Sequence, residues 1–406
     1  MNIAILHYSV PPIVGGVESV IAHHARLMSA AGHSVRLIAA RGDSLGKQIP
    51  LTIIPLADSR HLRVAKIKEQ LDRGEVTKEF ESLRDDLTEQ IQSALSGVDM
   101  LIAHNVCSLN KNLALTAALH QLHTSKKIPR LILWHHDLAW TTPRYQPELH
   151  DGYPWNLLRI DWGNVNHVAV SELRRAELAE LMKLEPASIH VIPNGVDIAR
   201  FYKLESQTQT LLEQTHLLEA APILLLPVRV TPRKNIELAL HTLAELRKQY
   251  PKASLIVTGP LGPHNVNNIQ YFEMLKTLRS QLDLQGSVHF LAELVDSFLP
   301  DEVIADFYRI ADALFFPSRE EGFGIPLIEA AFSHLPAFCA DIAPLRALGL
   351  EDAVFFSPDE DPAQVAVLIA EYFHSSPATR LSMRVRSSFS WDAIYRQDIA
   401  PLLEKG

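Results

Sequence analysis

Cysteine is nearly absent from this sequence. Its 406 residues include only Cys107 and Cys339, and both lie in apolar surroundings. Two isolated cysteines exclude the dense disulfide framework of small secreted domains. The favoured interpretation is a pair of buried free thiols in a reducing compartment, and a single disulfide is the alternative. The sequence therefore predicts a cytoplasmic protein.

Long apolar runs are also missing. No stretch approaches the roughly 20 consecutive apolar residues that a membrane-spanning helix needs. The opening segment, MNIAILHYSV, has no basic residues ahead of its short apolar run. It therefore predicts a first β-strand rather than a signal peptide.

The third shortage is of positive charge. The chain has 38 Lys and Arg residues against 47 Asp and Glu residues, a formal net charge of −9 at pH 7. That balance implies no general attraction to nucleic acid or to an anionic membrane. Any phosphate-bearing ligand would have to be held by locally placed arginine or lysine side chains.

What the chain does have is a regular alternation of short apolar segments with helical patterns. The apolar segments are NIAILHYS, SVRLIAA, DMLIAHN and RLILWHH in the first half, and PILLLPVRV, ASLIVTG, SVHFLAE, DALFFPS, PAFCAD and AVFFS in the second. This alternation predicts right-handed βαβ units and parallel sheets that are covered on both faces.

The length of the chain suits two domains. A polar stretch between Ser206 and Ala220 predicts a linker, after which the alternation restarts. We therefore expect an α/β protein with two doubly wound domains, 1–202 and 203–385, and an amphipathic helix at the C-terminus. Open parallel sheets bind ligands outside the carboxyl ends of their strands, so a cleft between two such domains is the expected site.

The motif EEGFGIPLIE follows the predicted strand DALFFPS. Pro326 favours a helix start whose free backbone N–H groups suit an anion. Glu329, about one turn into that helix, suits vicinal ribose hydroxyls, and Glu321 suits sugar hydroxyls. An acidic turn in which Glu321 faces the helix dipole is the alternative. A two-carboxylate hydrolase is disfavoured because both carboxylates lie in one turn.

Two other turns suit phosphate groups. In LPVRVTPRKN, Arg229 and Lys234 offer positive charge to a diphosphate. Solvated cations at a helix start are the alternative, but the helix dipole disfavours them. In PPIVGGVESV, Gly15 and Gly16 let the backbone approach a ligand at a helix N-terminus, and an ordinary βα turn explains them equally well.

The segment LILWHHDLAW places His135, His136 and Asp137 at the end of a strand. A hydrogen bond from His136 to a substrate oxygen is favoured over metal binding. Adjacent histidines point different ways from a strand end, and the sequence offers no clear third or fourth ligand.

Two further charged groups favour structural interpretations. The D-x-D pattern of Asp359 and Asp361 suits a divalent ion, but Asp361 precedes Pro362 as a helix N-cap would. The second group is the basic cluster Arg60, Arg63, Lys66 and Lys68. Contact of this cluster with anionic lipid head groups is an alternative to the favoured solvated helix face.

In order and spacing these motifs resemble glycosyltransferase family 4, the retaining nucleotide-sugar-dependent enzymes of GT-B fold. The resemblance runs over nearly the whole chain. It rests on Gly15, Gly16 and Glu18, the HHD strand end, AVSE, VIPNGVD, Arg229, Lys234, Gly259, and the Glu321 and Glu329 pair. One departure is Val228, where many relatives have glycine before the arginine.

The resemblance implies two Rossmann-like domains that face a central cleft, with an acceptor-binding first domain, a donor-binding second domain and a segment 386–406 that crosses back to the first. The implied catalytic residues are His136, Arg229, Lys234 and Glu321. The implied donor-binding residues are Gly15, Gly16, Arg229, Lys234, Gly259, Gly322, Phe323, Gly324, Ile325 and Glu329. No metal or other cofactor is implied.

The implied reaction is hexosyl transfer from a nucleotide diphosphate sugar, UDP-glucose or GDP-mannose, to a hydroxyl acceptor. That acceptor is a sugar, a lipid-linked sugar or a small molecule. Two other functions stay open: a GT-B nucleotide-sugar epimerase, and a nucleotide-sugar-binding protein without turnover.

Overall fold

The structure, a computed structural model of the chain, describes residues 1–261, 266–295 and 298–404. It divides into two compact units. The first unit comprises Met1–Gly195 together with the chain from Ile394 onward, and the second comprises Val196–Ala393. Each unit is built around its own parallel sheet, as the alternation of apolar segments predicts.

The first unit has a seven-stranded sheet. Its strands are β1 (Asn2–Leu6), β2 (Ser34–Ala39), β3 (Leu51–Ile53), β4 (Met100–His104), β5 (Leu131–His135), β6 (Asn166–Ala169) and β7 (Ile189–Val191). They lie in the order β3-β2-β1-β4-β5-β6-β7, and every pair is parallel. The carboxyl ends of β1, β4 and β5 are therefore neighbours.

Helices connect these strands. They are α1 (Gly16–Ala30), α2 (Leu62–Leu71), α3 (Lys78–Ala94), α4 (Leu113–Thr124) and α5 (Glu172–Met182). The charged segment between β3 and β4 forms α2 and α3. Phe80, Leu83, Leu87 and Ile91 of α3 are buried at helical spacing, so one face of this polar helix completes the core.

The second unit has a six-stranded sheet. Its strands are β8 (Ile223–Leu226), β9 (Ser254–Val257), β10 (Val288–Phe290), β11 (Ala313–Phe316), β12 (Ala337–Ala340) and β13 (Val354–Phe356). All neighbours in the order β10-β9-β8-β11-β12-β13 are parallel. These are the six strands predicted for the second half, and most of their residues are fully buried.

Ten helices are described in or at the end of this unit. They are α6 (Ile198–Tyr202), α7 (Ser206–Thr215), α8 (Ile236–Leu246), α9 (Val266–Gln281), α10 (Asp301–Ile310), α11 (Ile325–Phe332), α12 (Ala343–Gly349), α13 (Pro362–Ser375), α14 (Pro377–Phe389) and α15 (Trp391–Ile394). No helix of the described residues combines the length and apolar character needed to cross a bilayer.

The predicted linker between Ser206 and Ala220 is wrong, because most of it forms helix α7. Thr208 of this helix is fully buried, and its Oγ1 donates to Asp306 Oδ2 at 2.7 Å. Leu211 is buried on the same side. The segment is mostly polar, and its composition therefore predicts a linker. Its few apolar residues lie on one face of the helix, which is the face that is buried.

The division of the chain differs from the predicted boundaries, 202/203 and 385/386. Val196 already belongs to the second unit, because its backbone N–H donates to Phe389 O at 2.7 Å and its carbonyl accepts from Trp391 N at 3.3 Å. Arg386 is likewise bound within the second unit. Its guanidinium donates to both carboxylate oxygens of Asp312, at 2.7 and 2.6 Å.

The end of the chain returns to the first unit. After α15, a π-helical turn (Tyr395–Ile399) leads into α16 (Ala400–Glu404). Arg130, next to β5, donates to the carbonyls of Leu403 and Leu402 at 2.7 and 2.6 Å. Residues 405 and 406 of the predicted terminal helix lie outside the described residues.

A group of six buried histidines, here called the histidine cluster, lies at the carboxyl ends of β1, β4 and β5, within β6 and on α1. Its members are His7, His24, His104, His135, His136 and His167. The ring of Trp134 lies 4.6 Å from that of His24 and 5.2 Å from that of His104. Burial lowers the pKa of His24 to about 3 and that of His7 to about 4.

The pair of Arg386 and Asp312 is expected to support the stability of the second unit. Both side chains are almost fully buried, so Arg386→Ala leaves an uncompensated carboxylate in the core. We expect a loss of about 3–5 kcal/mol in the free energy of unfolding, measured by urea denaturation. Lys248→Ala, which breaks an exposed pair with Glu245, is the control and should cost much less. Equal losses in the two variants would contradict this role.

The histidine cluster predicts acid sensitivity of the first unit. Its imidazoles are neutral in the folded protein but titrate near pH 6.5 when unfolded, so the unfolded chain binds more protons below that pH. Stability should therefore fall as the pH drops from about 6.5 toward 4, by about 1.4 kcal/mol per pH unit for each such histidine.

Tryptophan fluorescence measures this effect, because four of the five tryptophans lie in the first unit: Trp134, Trp140, Trp155 and Trp162. The urea midpoint should be lower at pH 5 than at pH 7. His24→Phe removes one of the titrating groups and should flatten the pH dependence. The same midpoint at both pH values would refute the prediction.

Candidate active site

A buried ion pair joins two of the predicted motifs in the second unit. Lys234 ends a short 3₁₀ turn, Pro232–Lys234, that follows β8, and Glu321 lies in the turn after β11. Lys234 Nζ donates to Glu321 Oε1, and the two side chains are only 10 % and 9 % exposed. The ammonium group also lies 5.6 Å from the centroid of the Phe316 ring. Each charge therefore compensates the other where water is scarce.

Asn235 connects the same turns, and sequence analysis overlooked it. It is fully buried, and its backbone is left-handed, with φ of 54°. Its Nδ2 donates to Pro317 O at 3.1 Å and to Pro358 O at 2.8 Å. The one available signal was an asparagine between a turn and a helix, where a positive φ is tolerated.

Arg229 lies between β8 and the turn of Lys234, and its side chain is exposed. It forms no hydrogen bond or ion pair with the residues that the structure describes. Gly259 supports its backbone, because a Cβ at position 259 would lie 1.9 Å from Val228 O and 2.5 Å from Arg229 N. The glycine after β9 is therefore required by the close approach of the Arg229 turn.

The turn before α11 depends on Gly324. Its φ is +110°, and a Cβ there would lie 2.6 Å from Leu345 Cδ2. A helix does start here as predicted, but α11 begins at Ile325, so Pro326 is its second residue rather than its first. The exposed residues of the turn and the helix start are Gly322, Phe323 and Ile325.

Glu329 is exposed on α11, but one of its oxygens is already held. The hydroxyl of Tyr308, a buried residue of α10, donates to Glu329 Oε2 at 2.6 Å. Burial raises the pKa of Tyr308, and its hydrogen bond to the carboxylate raises it further. The phenol therefore stays a protonated donor and fixes the orientation of the carboxylate. Nothing local in the sequence indicated this partner.

Gly15 and Gly16 lie at the N-terminus of α1 in the first unit. A Cβ at Gly15 would lie 2.0 Å from Glu18 Oε2, so this glycine makes room for the folded-back glutamate. Glu18 Oε1 accepts a hydrogen bond from Ser9 Oγ at 2.7 Å. Beside Gly16, in contrast, a Cβ would meet no protein atom within 4 Å.

His136 follows the last residue of β5, as predicted. Its Nε2 lies 3.1 Å from His104 Nδ1, whereas His135 Nε2 lies 3.1 Å from His167 Nδ1, so the adjacent histidines do point different ways. Burial lowers the pKa of His136 to about 3, so the imidazole is neutral at physiological pH. Asn105 Oδ1, also overlooked, accepts from the backbone N–H of His136 at 2.8 Å.

The favoured structural interpretation of the D-x-D pattern agrees with the contacts. Asp361 Oδ1 accepts from Ala363 N at 3.0 Å as the N-cap of α13. Asp359 pairs with Arg319. In the described parts of the chain, no three His, Cys, Asp or Glu side chains converge in a way that could hold a metal ion.

Two of the four members of the basic cluster near α2 are paired within the protein. Arg63 Nη1 bonds Asp86 Oδ2 at 2.5 Å. Lys68 Nζ bonds Asp72 Oδ2 at 2.7 Å and Glu148 Oε2 at 2.8 Å. Contact with lipid head groups would have to compete with these carboxylates.

Two protein-family models match this chain. The model of "Glycosyltransferase Family 4" matches residues 14–200, and that of "Glycosyl transferases group 1" matches residues 208–387. The first match lies almost entirely within the first unit and the second within the second unit. Together they span most of the chain.

Characterised relatives agree with these matches. The chain is 26 % identical over 374 residues to mannosylglucosylglycerate synthase of Petrotoga mobilis. The aligned region covers 85 % of this chain and 85 % of the relative. It is 28 % identical over 241 residues to D-inositol 3-phosphate glycosyltransferase of Kineococcus radiotolerans. This second alignment covers 56 % of this chain and 54 % of the relative.

Among solved structures, sucrose-phosphate synthase of Thermosynechococcus elongatus aligns over 100 % of this chain and 98 % of its own, with 18 % identity and a TM-score of 0.39. The expected α/β fold with two doubly wound units of the GT-B class is confirmed by the two parallel sheets and the family matches. The chain thus belongs to the family-4 glycosyltransferases and is an enzyme that transfers a sugar.

Proposed function

We propose that this enzyme transfers a hexose from a nucleotide diphosphate sugar to a hydroxyl acceptor, with retention of anomeric configuration and without a metal ion. The bond between the anomeric carbon and the diphosphate oxygen breaks, and its electron pair stays on the diphosphate. The acceptor oxygen bonds to the same face of the anomeric carbon, and its proton passes to a leaving-group oxygen.

The observation that carries the proposal is the cation arrangement after β8. Arg229 is exposed and unpaired among the described residues, and Lys234 lies further along the same connection between β8 and α8. Both can face the negative charge that builds on a departing diphosphate, which is the role that a metal ion fills in other enzymes. The positive end of the α11 helix dipole adds to this stabilisation.

Glu321 and Glu329 suit the rest of the donor. Lys234 orients Glu321 in the turn before α11, and we expect Glu321 to accept hydrogen bonds from hydroxyls of the transferred sugar. Glu329, one turn into α11, keeps an oxygen free for the ribose hydroxyls. Gly15, Gly16 and His136 belong to the first unit, and their roles toward the donor stay predictions from the family resemblance.

The names of the relatives support a hexose donor and a hydroxyl-rich acceptor. The Petrotoga relative is named for making mannosylglucosylglycerate, and the Kineococcus relative for acting on D-inositol 3-phosphate. UDP-glucose and GDP-mannose are the donors that we propose to test first. A thermal-shift panel of nucleotide diphosphates and nucleotide-sugars selects between them, because a bound ligand stabilises the folded protein.

Arg229→Ala tests the proposed site most cleanly, because Arg229 supports no other described side chain. Loss of one preorganised cation should lower kcat about 100- to 1000-fold. The measurement uses labelled nucleotide-sugar. When no other acceptor is supplied, water serves as the acceptor and the assay follows the free sugar that is released. Arg233→Ala, which removes an exposed cation from the same turn, is the matched control and should retain activity. Wild-type turnover should persist in EDTA.

The products separate the alternatives. Release of the α-anomer from an α-linked donor, or formation of a glycoside, supports a retaining transferase. A nucleotide-sugar with altered configuration indicates an epimerase, and a thermal shift without any turnover indicates a binding protein. If Arg229→Ala transfers sugar as fast as wild type, the proposed role of this turn is wrong.

Tyr308→Phe should weaken donor binding. The change removes one hydrogen bond to the Glu329 carboxylate but keeps the aromatic ring. We expect the KM for the donor to rise about tenfold with little change in kcat. The preference for ribose over dideoxyribose nucleotides, measured by thermal shift, should fall as well. Tyr250→Phe, elsewhere in the same unit, is the control, and equal behaviour of the two variants would contradict the role of Tyr308.

A further inference from the structure

Two positively charged side chains stand out at the carboxyl edge of the first sheet. Lys111 lies in the loop after β4, and Arg144 lies in the loop after β5. Tyr8 follows β1, and Tyr145 follows Arg144. Since β1, β4 and β5 are neighbours in a parallel sheet, these loops share the edge where open sheets bind ligands. We call these four residues the basic edge.

Both cations of the basic edge contact aromatic rings rather than carboxylates. Lys111 Nζ lies 5.7 Å from the centroid of the Tyr8 ring. The Arg144 guanidinium lies 4.7 Å from that of Tyr145, and its Nη2 donates to the Tyr145 hydroxyl at 3.0 Å. In the described chain, neither cation forms an ion pair. The Tyr8 hydroxyl is buried and has no hydrogen-bond partner among the described atoms.

The protein as a whole carries a net charge of −9, so positive charge at this edge has to come from local side chains. Some other cations of the first unit are compensated: Arg41 Nε lies 2.7 Å from Asp58 Oδ2, and Lys68 has two carboxylate partners. Glu18 raises the pKa of His7 and Lys111 lowers it. The Glu18 carboxylate accepts a hydrogen bond from the Ser9 hydroxyl. The basic edge therefore offers positive charge that the protein itself does not neutralise.

We propose that the basic edge binds an acceptor that carries a phosphate or carboxylate group on a polyol. Lys111 and Arg144 hold the charged group, and a hydroxyl elsewhere on the polyol receives the sugar. This inference rests on the proposed function. The acceptor oxygen gains the bond to the anomeric carbon and gives its proton to the departing diphosphate, so the charged group contributes to binding and takes no part in the bonds that change.

The test compares charged and neutral acceptors with the donor that the hydrolysis assay identifies. The pairs are inositol 1-phosphate and inositol, fructose 6-phosphate and fructose, and glycerate and glycerol. Phosphatidylcholine vesicles with and without phosphatidylinositol form a separate arm. We expect transfer to at least one charged member, with kcat/KM about 10- to 100-fold above that of its neutral partner.

Substitutions then connect that preference to Lys111. Lys111→Met should reduce the preference for the charged acceptor about tenfold or more, mainly through KM, whereas Lys111→Arg should keep most of it. Lys66→Met, which removes an exposed lysine of α2, is the control and should keep it fully. Circular dichroism verifies that each variant is folded.

Each outcome decides one point. Transfer to soluble charged polyols supports the inference with a free acceptor, and transfer only to phosphatidylinositol vesicles supports it with a lipid head group as the source of charge. Equal transfer to charged and neutral members, or an unchanged preference in Lys111→Met, overturns it. If no nucleotide-sugar is hydrolysed or transferred at all, the proposed function fails instead.

Discussion

The ion pair of Lys234 and Glu321 is the interaction on which the geometry of the candidate site in the second unit depends. Both side chains have little access to solvent, and each stays ionised because it pairs with the other. Separating them would leave an isolated buried ion, which is strongly unfavourable. The pair therefore constrains the turns after β8 and β11 to a single relative position. Asn235 adds neutral hydrogen bonds to the same junction, so the geometry does not rest on electrostatics alone.

This constraint divides the charged residues of the second unit into two groups. The side chains of Lys234 and Glu321 are largely buried, and each orients the other. Arg229 and Glu329 are exposed and keep most of their hydrogen-bonding capacity for a ligand. Preorganised charges of this kind can stabilise a developing anion without reorganisation during the reaction, which is the main source of rate enhancement in many enzymes.

Much of this architecture was predictable from sequence because its signals are local. Buried parallel strands appear as continuous apolar runs, and the helix start at Pro326 follows from the chemistry of one residue. The overlooked residues act through partners far away in the chain. Tyr308 meets Glu329 across two helices, and Asn105 meets His136 across two strands. The roles of Tyr308 and Asn105 can be recognised only in the folded structure, where their partners lie beside them.

The error at the predicted linker has a related cause. Polar composition averages over both faces of a helix, whereas burial depends on one face only. Helix α7 places Thr208 and Leu211 against the second unit and leaves its glutamines in solvent. The hydroxyl of Thr208 is satisfied by Asp306, a partner nearly one hundred residues away. The linker predicted from composition therefore coincides with a packed element of the second unit.

The two sheets present different chemistry at their carboxyl edges. The edge of the second sheet carries formal charges, which suits a diphosphate leaving group. That of the first carries buried imidazoles, and burial keeps groups such as His136 neutral. A neutral imidazole can donate to or accept from a hydroxyl without adding charge, so it suits a polyol better than a phosphate. In our proposal an anionic group on the acceptor is held instead by Lys111 and Arg144, which supply positive charge at the same edge.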